Sequence, residues 1–273
     1  MRLAVITAQY KRPKLTNLIF KYYNLLQRQL TPSIDLRLIS VGSEGEHSQA
    51  IAKANRWQYL EYPNQPLNHK WREGFKAAKI HDPDGCLLVG TDDIISPALL
   101  LNYKDLLESE RQNLGLLDTY SLNLQHFTVG HWPGYGFPGR HALAWWAYQR
   151  LKKRRWKSPP FNRGKTAGSA QLFTAETLDK LRWDLWGPKP IPKGLDGQAW
   201  ERLKAHGETI QGHKLADLEG CFMSVKTARN LTPNIGPWAL NRSWLTNPVQ
   251  FIEDRFGVGL SLDLFKLHQQ GLT

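Results

Sequence analysis

Two adjacent carboxylates, Asp92 and Asp93, follow an uncharged run in the segment GCLLVGTDDIISP (85–97). A hard divalent cation such as Mg2+ takes oxygen ligands, commonly one or two carboxylates together with substrate phosphate oxygens. Such an ion offsets charge that builds on a departing diphosphate. The same dipeptide also suits an acidic turn between a strand and a helix, because Asp is favoured in turns and near helix N-termini. Taken alone, the pair leaves both readings open.

The second group that could do chemistry is basic. Between Thr119 and Ala175 the chain has no Asp or Glu, yet it holds nine cations: Arg140, Arg150, Lys152, Lys153, Arg154, Arg155, Lys157, Arg163 and Lys165. The net charge is +12, so the rest of the chain carries only +3. Trp145, Trp146, Tyr148, Trp156 and Phe161 are interleaved with these bases. Cations that meet phosphates beside aromatics that stack on exposed bases suit a nucleic-acid groove. A loop over an anionic donor and an anionic membrane surface are the other readings. Nine bases exceed what a single diphosphate requires, which favours a polyanionic acceptor.

The elements that must position these residues follow from periodicity. LAVIT (3–7) is an apolar run of strand length, covered on both faces. Leu15, Leu18, Ile19, Tyr22, Leu25 and Leu26 recur at helical spacing. IDLRLISVG (34–42) reads as a strand, EHSQAIAKAN as a helix, and WQYLEYP as a short strand stopped by Pro63. A further helix places Trp71, Phe75 and Ala78 on one side, and GCLLVG is the fourth strand. Ser96-Pro97 opens a helix as N-cap and first helical residue, and LGLLDTYSLNL reads as a fifth strand. Such alternation predicts a mostly parallel α/β sheet with helices on both faces, where ligands bind beyond the strands' carboxyl ends. Both aspartates stand at one such end.

Beyond residue 122 the pattern loosens into long loops with one helix near 140–153, as expected of a binding segment. Order returns in AGSAQLFTAETLDKL (167–181), a strand capped into a helix by Thr174. GLDGQAWERLKAHG follows as a helix, with a strand within 219–226 and a last helix near 260–270. No repeat or linker divides the chain. The expected organisation is one domain over 1–273, with a donor-binding half (1–120) and an acceptor-binding half (121–273) that carries the basic segment 140–165.

A 273-residue chain with 41% hydrophobic and 22% charged residues has the balance of a globular protein, not of a disordered one. No apolar run reaches the roughly 18 residues of a transmembrane segment. Two cysteines make neither a metal nor a disulfide pattern, which places the protein by default in a reducing cytoplasm. No feature specifies an oligomeric state.

The order strand, Gly90, Thr91, Asp92, Asp93, apolar step, Ser-Pro, helix resembles the metal-binding strand end of GT-A glycosyltransferases. VITAQYKRPKLTNLIFKYYNLL, LISVGSEGE and PLNHKWREGFKAA are similar to that family's opening strand and helix, its nucleotide-contacting loop, and the segment preceding its metal motif. AGSAQLFTAETLDKL and GLDGQAWERL resemble its acceptor-side strand and its catalytic loop. The likeness covers residues 1–120 and, more loosely, 165–206. It departs in two places: Gly90 stands where the first aspartate of Asp-x-Asp is usual, and the usual Glu-Asp pair is reduced to Asp196.

This resemblance implies a GT-A-like fold and a nucleoside diphosphate-sugar donor, a UDP-sugar first, with Mn2+ or Mg2+ held by Asp92 and Asp93 and with His213 as a further ligand. It implies that Thr7, Ala8, Tyr10 and Arg12 sit near the base and ribose, and that Ser43 or Glu44 faces the base. It sets Asn68, Lys70 and Trp71 along the nucleotide pocket, Lys70 toward the diphosphate, with Thr91 beside the donor. Asp196 would be the base that deprotonates the acceptor hydroxyl, with Glu201 as the alternative. For each there is a plainer structural role: N-cap for Asp196, a solvated face for Glu201, a surface or core histidine for His213.

Some GT-A-like enzymes, notably phage-encoded ones, attach sugars to hydroxymethylated pyrimidines in DNA, and the N-x-K-W … G-T-D-D arrangement resembles that group. The implied partner is DNA, such as DNA carrying 5-hydroxymethylcytosine, reached in a host cytoplasm. It would be bound through Arg140, Trp145, Trp146, Lys152, Lys153, Arg154, Arg155, Trp156, Lys157, Arg163 and Lys165. A bacterial surface polysaccharide or lipid-linked acceptor is the alternative. A nucleotidyltransferase is disfavoured because TAQYKRP, after the first strand, contains no glycine. A non-catalytic nucleic-acid-binding protein would leave the bare aspartates unexplained.

Overall fold

The computed structural model describes residues 1–134, 165–191, 194–227, 243–257 and 259–271. Its first half alternates strand and helix: β1 (Arg2–Ala8), α1 (Pro13–Leu30), β2 (Asp35–Gly42), α2 (Glu46–Ala54), β3 (Gln58–Glu61), α3 (Leu67–Lys79), β4 (Gly85–Leu88), β5 (Asp93–Ile95) and α4 (Pro97–Glu110). There follow β6 (Asn113–Leu116), β7 (Thr119–Asn123), β8 (Thr128–Trp132), β9 (Gln171–Thr174), α5 (Ala175–Lys180), α6 (Leu195–Ala205), β10 (Ile210–His213) and β11 (Phe222–Lys226). β12 (Ser243–Trp244), α7 (Pro248–Phe256) and α8 (Leu260–Gln269) complete the described elements.

Seven strands form the larger sheet in the order β10-β6-β9-β4-β1-β2-β3. All run the same way except β9, which is antiparallel to both β4 and β6. The expected mostly parallel sheet is thus present, with one reversed strand at its centre. Helices cover both faces because successive strand residues point to opposite sides. Leu3, Val5 and Leu87 pack with α1 and α4, whereas Ala4, Ile6, Cys86 and Leu88 pack with Phe75 and Ala78 of α3.

A second sheet, β12-β8-β7-β11-β5, adjoins the first. It corrects two sequence expectations. LGLLDTYSLNL is two strands, one in each sheet, and Asp118 marks the break. Its carboxylate accepts the Leu215 N–H at 2.8 Å and pairs with His131 at 2.8 Å, so the chain turns there from one sheet to the other. The three residues that begin with Asp93 are themselves a strand, β5, paired antiparallel to β11. The helix expected near 140–153 lies outside the described residues.

Caps form where the sequence places them. Ser96 Oγ accepts from Leu99 N at 3.2 Å, and Thr174 Oγ1 accepts from Thr177 N at 3.0 Å. From α1, Tyr22 donates to Ile95 O at 2.8 Å and Tyr23 to Asp93 O at 3.3 Å, which fixes β5 from beneath. Phe20 stacks on Trp57 at 4.0 Å, adding about 0.5–1.5 kcal/mol beyond the area it buries. Both cysteines are buried and unpaired. Among the described residues no helix is long and apolar enough to cross a membrane.

Candidate active site

Because β1, β2 and β4 are parallel and in register, with Ala8 beside Val41 and Ile6 beside Leu88, their carboxyl ends open on one edge of the sheet. There the Thr7 hydroxyl is buried with no hydrogen-bond partner among the described residues, and Ala8 is half-buried. Tyr10 is 39% exposed and has Lys11 Nζ at 5.0 Å and Lys70 Nζ at 5.8 Å from its ring centre. An exposed ring flanked by cations suits contact with a nucleobase. Glu44 is occupied by its own loop partner, accepting the Lys11 N–H at 2.7 Å.

Lys70 is fully buried. Its ammonium donates to the Gln9 carbonyl, to Ser43 Oγ at 3.0 Å and to Asn64 Oδ1 at 3.2 Å, tying the ends of β1 and β2 to the loop before α3. Burial lowers its pKa to about 8, partly opposed by Glu44 and Glu61. Ser43 and Lys70 are therefore brought together, with the ammonium engaged by three protein oxygens instead of being offered to a diphosphate. Asn68 is not in this pocket. It donates to Lys189 O and accepts from Ile191 N, both at 3.0 Å, and so pins the loop that precedes α6. Trp71 is core, packed with Phe75 and Phe173.

The two aspartates diverge. Asp93 turns inward: Oδ2 accepts the Gly90 N–H at 2.6 Å and Ser169 adds a side-chain hydrogen bond. Burial, then the neighbouring Asp92, raises its pKa. A Cβ at Gly90 would stand 2.7 Å from Asp92 Oδ1 and 2.9 Å from Asp93 Oδ2, so a side chain there would displace the carboxylates from this fold-back. Asp92 faces Arg12, with Nη1 at 3.2 Å from Oδ2 and Nη2 at 3.4 Å from Oδ1, while Nη2 also donates to Thr91 Oγ1 at 3.1 Å. Lys226 Nζ, from β11, approaches Asp92 Oδ2 at 4.0 Å. Arg12 thus faces the aspartate end of the crevice.

The donor set bears directly on the expected Mn2+ or Mg2+. Asp93 is turned inward and satisfied, and both oxygens of Asp92 already face a guanidinium. A dication on Asp92 would have to share that carboxylate with the guanidinium or displace it. Among the described residues no three His, Cys, Asp or Glu side chains gather as a metal cage. His213 ends β10, three strands from β4 in the sheet order, or roughly 14 Å at normal strand spacing. These residues do not fit the expected ion site.

Asp196 lies in the first turn of α6, whose N-cap is Gly194, and its carboxylate accepts only its own backbone N–H there. It rests instead on Gly168, where a Cβ would fall 2.2 Å from Oδ1 and 2.5 Å from Oδ2. Ser169, the next residue, is the one bound to Asp93. One peptide unit therefore links the candidate base to the aspartate pair. Asp196 counts as exposed overall, yet enough protein surrounds its carboxyl that desolvation raises the pKa above the usual value. Glu201 is exposed and, five residues on, sits about 140° around the helix; the structure does not bring it to this site.

Sequence reasoning missed Gln9, Asn64, Gly168, Ser169 and Lys226. Gly168 and Ser169 left a trace, as part of the small-residue run AGSA. Of the expected acceptor residues, Lys165 is described and half-buried. Arg140, Trp145, Trp146, Lys152, Lys153, Arg154, Arg155, Trp156, Lys157 and Arg163 lie outside the described residues.

Among solved structures, residues 1–349 of TarS from S. aureus superimpose with a TM-score of 0.54 over 82% of this chain at 12% identity. The same protein in complex with UDP gives 0.51 over 83% at 12% identity. This chain spans about 60% of the length of those chains. The likeness establishes the fold, which is that of GT-A glycosyltransferases. No protein-family profile and no curated protein sequence matches the chain.

Proposed function

We propose that this chain transfers a sugar from a nucleoside diphosphate-sugar, a UDP-sugar first, to a hydroxyl acceptor. The observation that carries the reading is the placement of the Asp196 carboxylate on Gly168, one residue from the serine that holds Asp93. A proton acceptor and a charged crevice at the ends of β1, β2 and β4 are thereby adjacent, on a fold shared with a protein solved in complex with UDP. Tyr10 would lie against the base, with Ser43 and Lys70 shaping the pocket wall behind it.

In the reaction, the acceptor O–H loses its proton to Asp196 as its oxygen attacks the anomeric carbon. The bond from that carbon to the diphosphate oxygen breaks, and the electron pair leaves with the nucleoside diphosphate. A single displacement of this kind inverts the anomeric centre. The raised pKa of Asp196 makes it a better base than an ordinary aspartate, provided the pH lies above that pKa.

For the acceptor we favour DNA bearing hydroxymethylpyrimidines. Support comes from the acid-free run with nine bases, which matches a polyanion better than a neutral glycan. A surface glycan or lipid-linked acceptor is the competing substrate. A binding protein without chemistry would leave the Asp196 carboxylate, set on Gly168 beside the aspartate pair, without a role. The test incubates the protein with a panel of nucleotide-sugars and with ordinary or hydroxymethylated DNA, followed by mass spectrometry of the digested nucleosides. A hexose or pentose mass on the modified nucleoside is expected. Transfer to glycan acceptors alone would overturn the DNA assignment, and no transfer to any acceptor would overturn the enzymatic one.

A further inference from the structure

The charge that the site offers a diphosphate comes from side chains. Arg12 and Lys226 are 214 positions apart in sequence, and the two sheets converge them on one carboxylate, Asp92, at 3.2 Å and 4.0 Å. Arg12 is held there by an uncommon backbone. It is the N-cap of α1 at φ 60° and ψ 48°, left-handed for a residue with a Cβ, and its side chain makes no cap. Lys11 beside it is also left-handed, at φ 53°. Such strain persists only where surrounding structure imposes it, and it gathers at ligand sites. Here its effect is to turn the guanidinium over the end of β4.

That guanidinium has capacity to spare. Nη2 is engaged by Thr91 and Asp92. Nη1 is buried and makes no hydrogen bond among the described residues, only the ion pair. A buried charged donor without a hydrogen-bond acceptor is unfavourable unless a ligand supplies one. Lys226 is likewise steadied from one side, donating to Ser224 Oγ at 2.7 Å. The two cations together carry the charge that one divalent ion would bring, and they occupy the carboxylate such an ion would need.

We propose that Arg12 and Lys226 hold the donor's diphosphate directly and that binding requires no divalent ion. This rests on the nucleotide-sugar reading above. Asp92 is then a positioning residue that aims both cations. When the anomeric bond breaks, the electron pair stays on the departing diphosphate oxygen, and the added charge is met by the guanidinium and the ammonium. Asp93 keeps the turn closed beneath them.

Isothermal titration of the full chain with UDP and with inorganic pyrophosphate, in excess EDTA and in excess Mn2+, tests this. The expected result is binding of both probes in EDTA, with affinity within about twofold of that in Mn2+. Arg12→Met and Lys226→Met should each weaken binding in EDTA by about 10- to 100-fold, the worth of a hydrogen bond to a charged group. Arg12→Lys, which keeps a charge, should recover part of that loss. Thermal unfolding of each variant separates lost affinity from lost fold, and Lys226→Met serves if Arg12 variants unfold. Binding that appears only with Mn2+ overturns the proposal and leaves the nucleotide-sugar reading standing. Unchanged affinity in folded Arg12 and Lys226 variants also overturns it. Absence of binding under both conditions overturns the proposal and that reading together.

Discussion

Replacing Gly168 by alanine probes Asp196 without touching it. The added methyl would stand 2.2 Å from Oδ1, 2.4 Å from Cγ and 2.5 Å from Oδ2 of Asp196. Ordinary contact between carbon and oxygen is about 3.2–3.5 Å, so the carboxylate must withdraw by about 1 Å. The backbone at 168 is not in the left-handed region, and the carboxylate can swing toward solvent, so the fold should tolerate the change within about 1 kcal/mol. Catalysis should not. A 1 Å misplacement of a positioned group lowers turnover by about 100-fold, equivalent to about 2.7 kcal/mol in the barrier. The assay is nucleoside diphosphate release from the donor, measured with UDP affinity and thermal unfolding on the same preparation. Asp196→Asn sets the floor, at about 100- to 10,000-fold below wild type. Near-normal turnover in a Gly168→Ala protein that binds UDP normally would refute the assignment of Asp196 as base.

Other expectations concern the same framework. Because burial raises the Asp196 pKa, kcat/KM should fall on the acid side through a pKa above the usual aspartate value; a profile whose acid limb matches an unperturbed carboxyl contradicts this. Lys70 has a folded pKa of about 8 against 10.5 when free, so between those values the unfolded chain binds more protons and stability rises with pH. Relative to Lys70→Met, the wild type should gain about 3 kcal/mol from pH 8 to 10.5 in urea unfolding; a flat difference shows the ammonium is not desolvated. Tyr103 donates from a fully buried position to Ala170 O at 2.9 Å. Tyr103→Phe should lower stability by about 1–3 kcal/mol by leaving that carbonyl unpaired, and a loss below about 0.5 kcal/mol would show that water replaces it.

What could be read from sequence was what short-range chemistry decides. The apolar runs at β1, β2 and β4, the Ser96 and Thr174 caps and the helical spacing of Trp71, Phe75 and Ala78 all stand in the structure. That spacing already argued that Trp71 belongs to the core, where the structure packs it. β5 could not be read, because three residues make a strand only through β11, more than a hundred positions later. The break at Asp118 likewise depends on His131 and Leu215. In the site, Thr7, Tyr10, Ser43, Lys70, Thr91 and Asp92 gather as expected because strand ends do. Lys226 and Ser169 arrive from elements whose placement is tertiary. The inward turn of Asp93 follows from its hydrogen bond to Gly90, a choice between neighbours that composition does not reveal.

The splice at Asp93, where the crevice turn passes straight into a strand of the second sheet, has a consequence for biosynthesis. Among the described residues the partner of β5 is β11, about 130 residues downstream. β9, which separates β4 from β6, also emerges late. At about 5–20 residues per second, a ribosome that has released Asp93 needs roughly 7–25 s more to deliver its pairing strand. Through that interval the nascent chain displays an apolar edge at 94–95, and early release or a stalled ribosome would yield a product with no formed crevice, however complete the four strands and three helices before it.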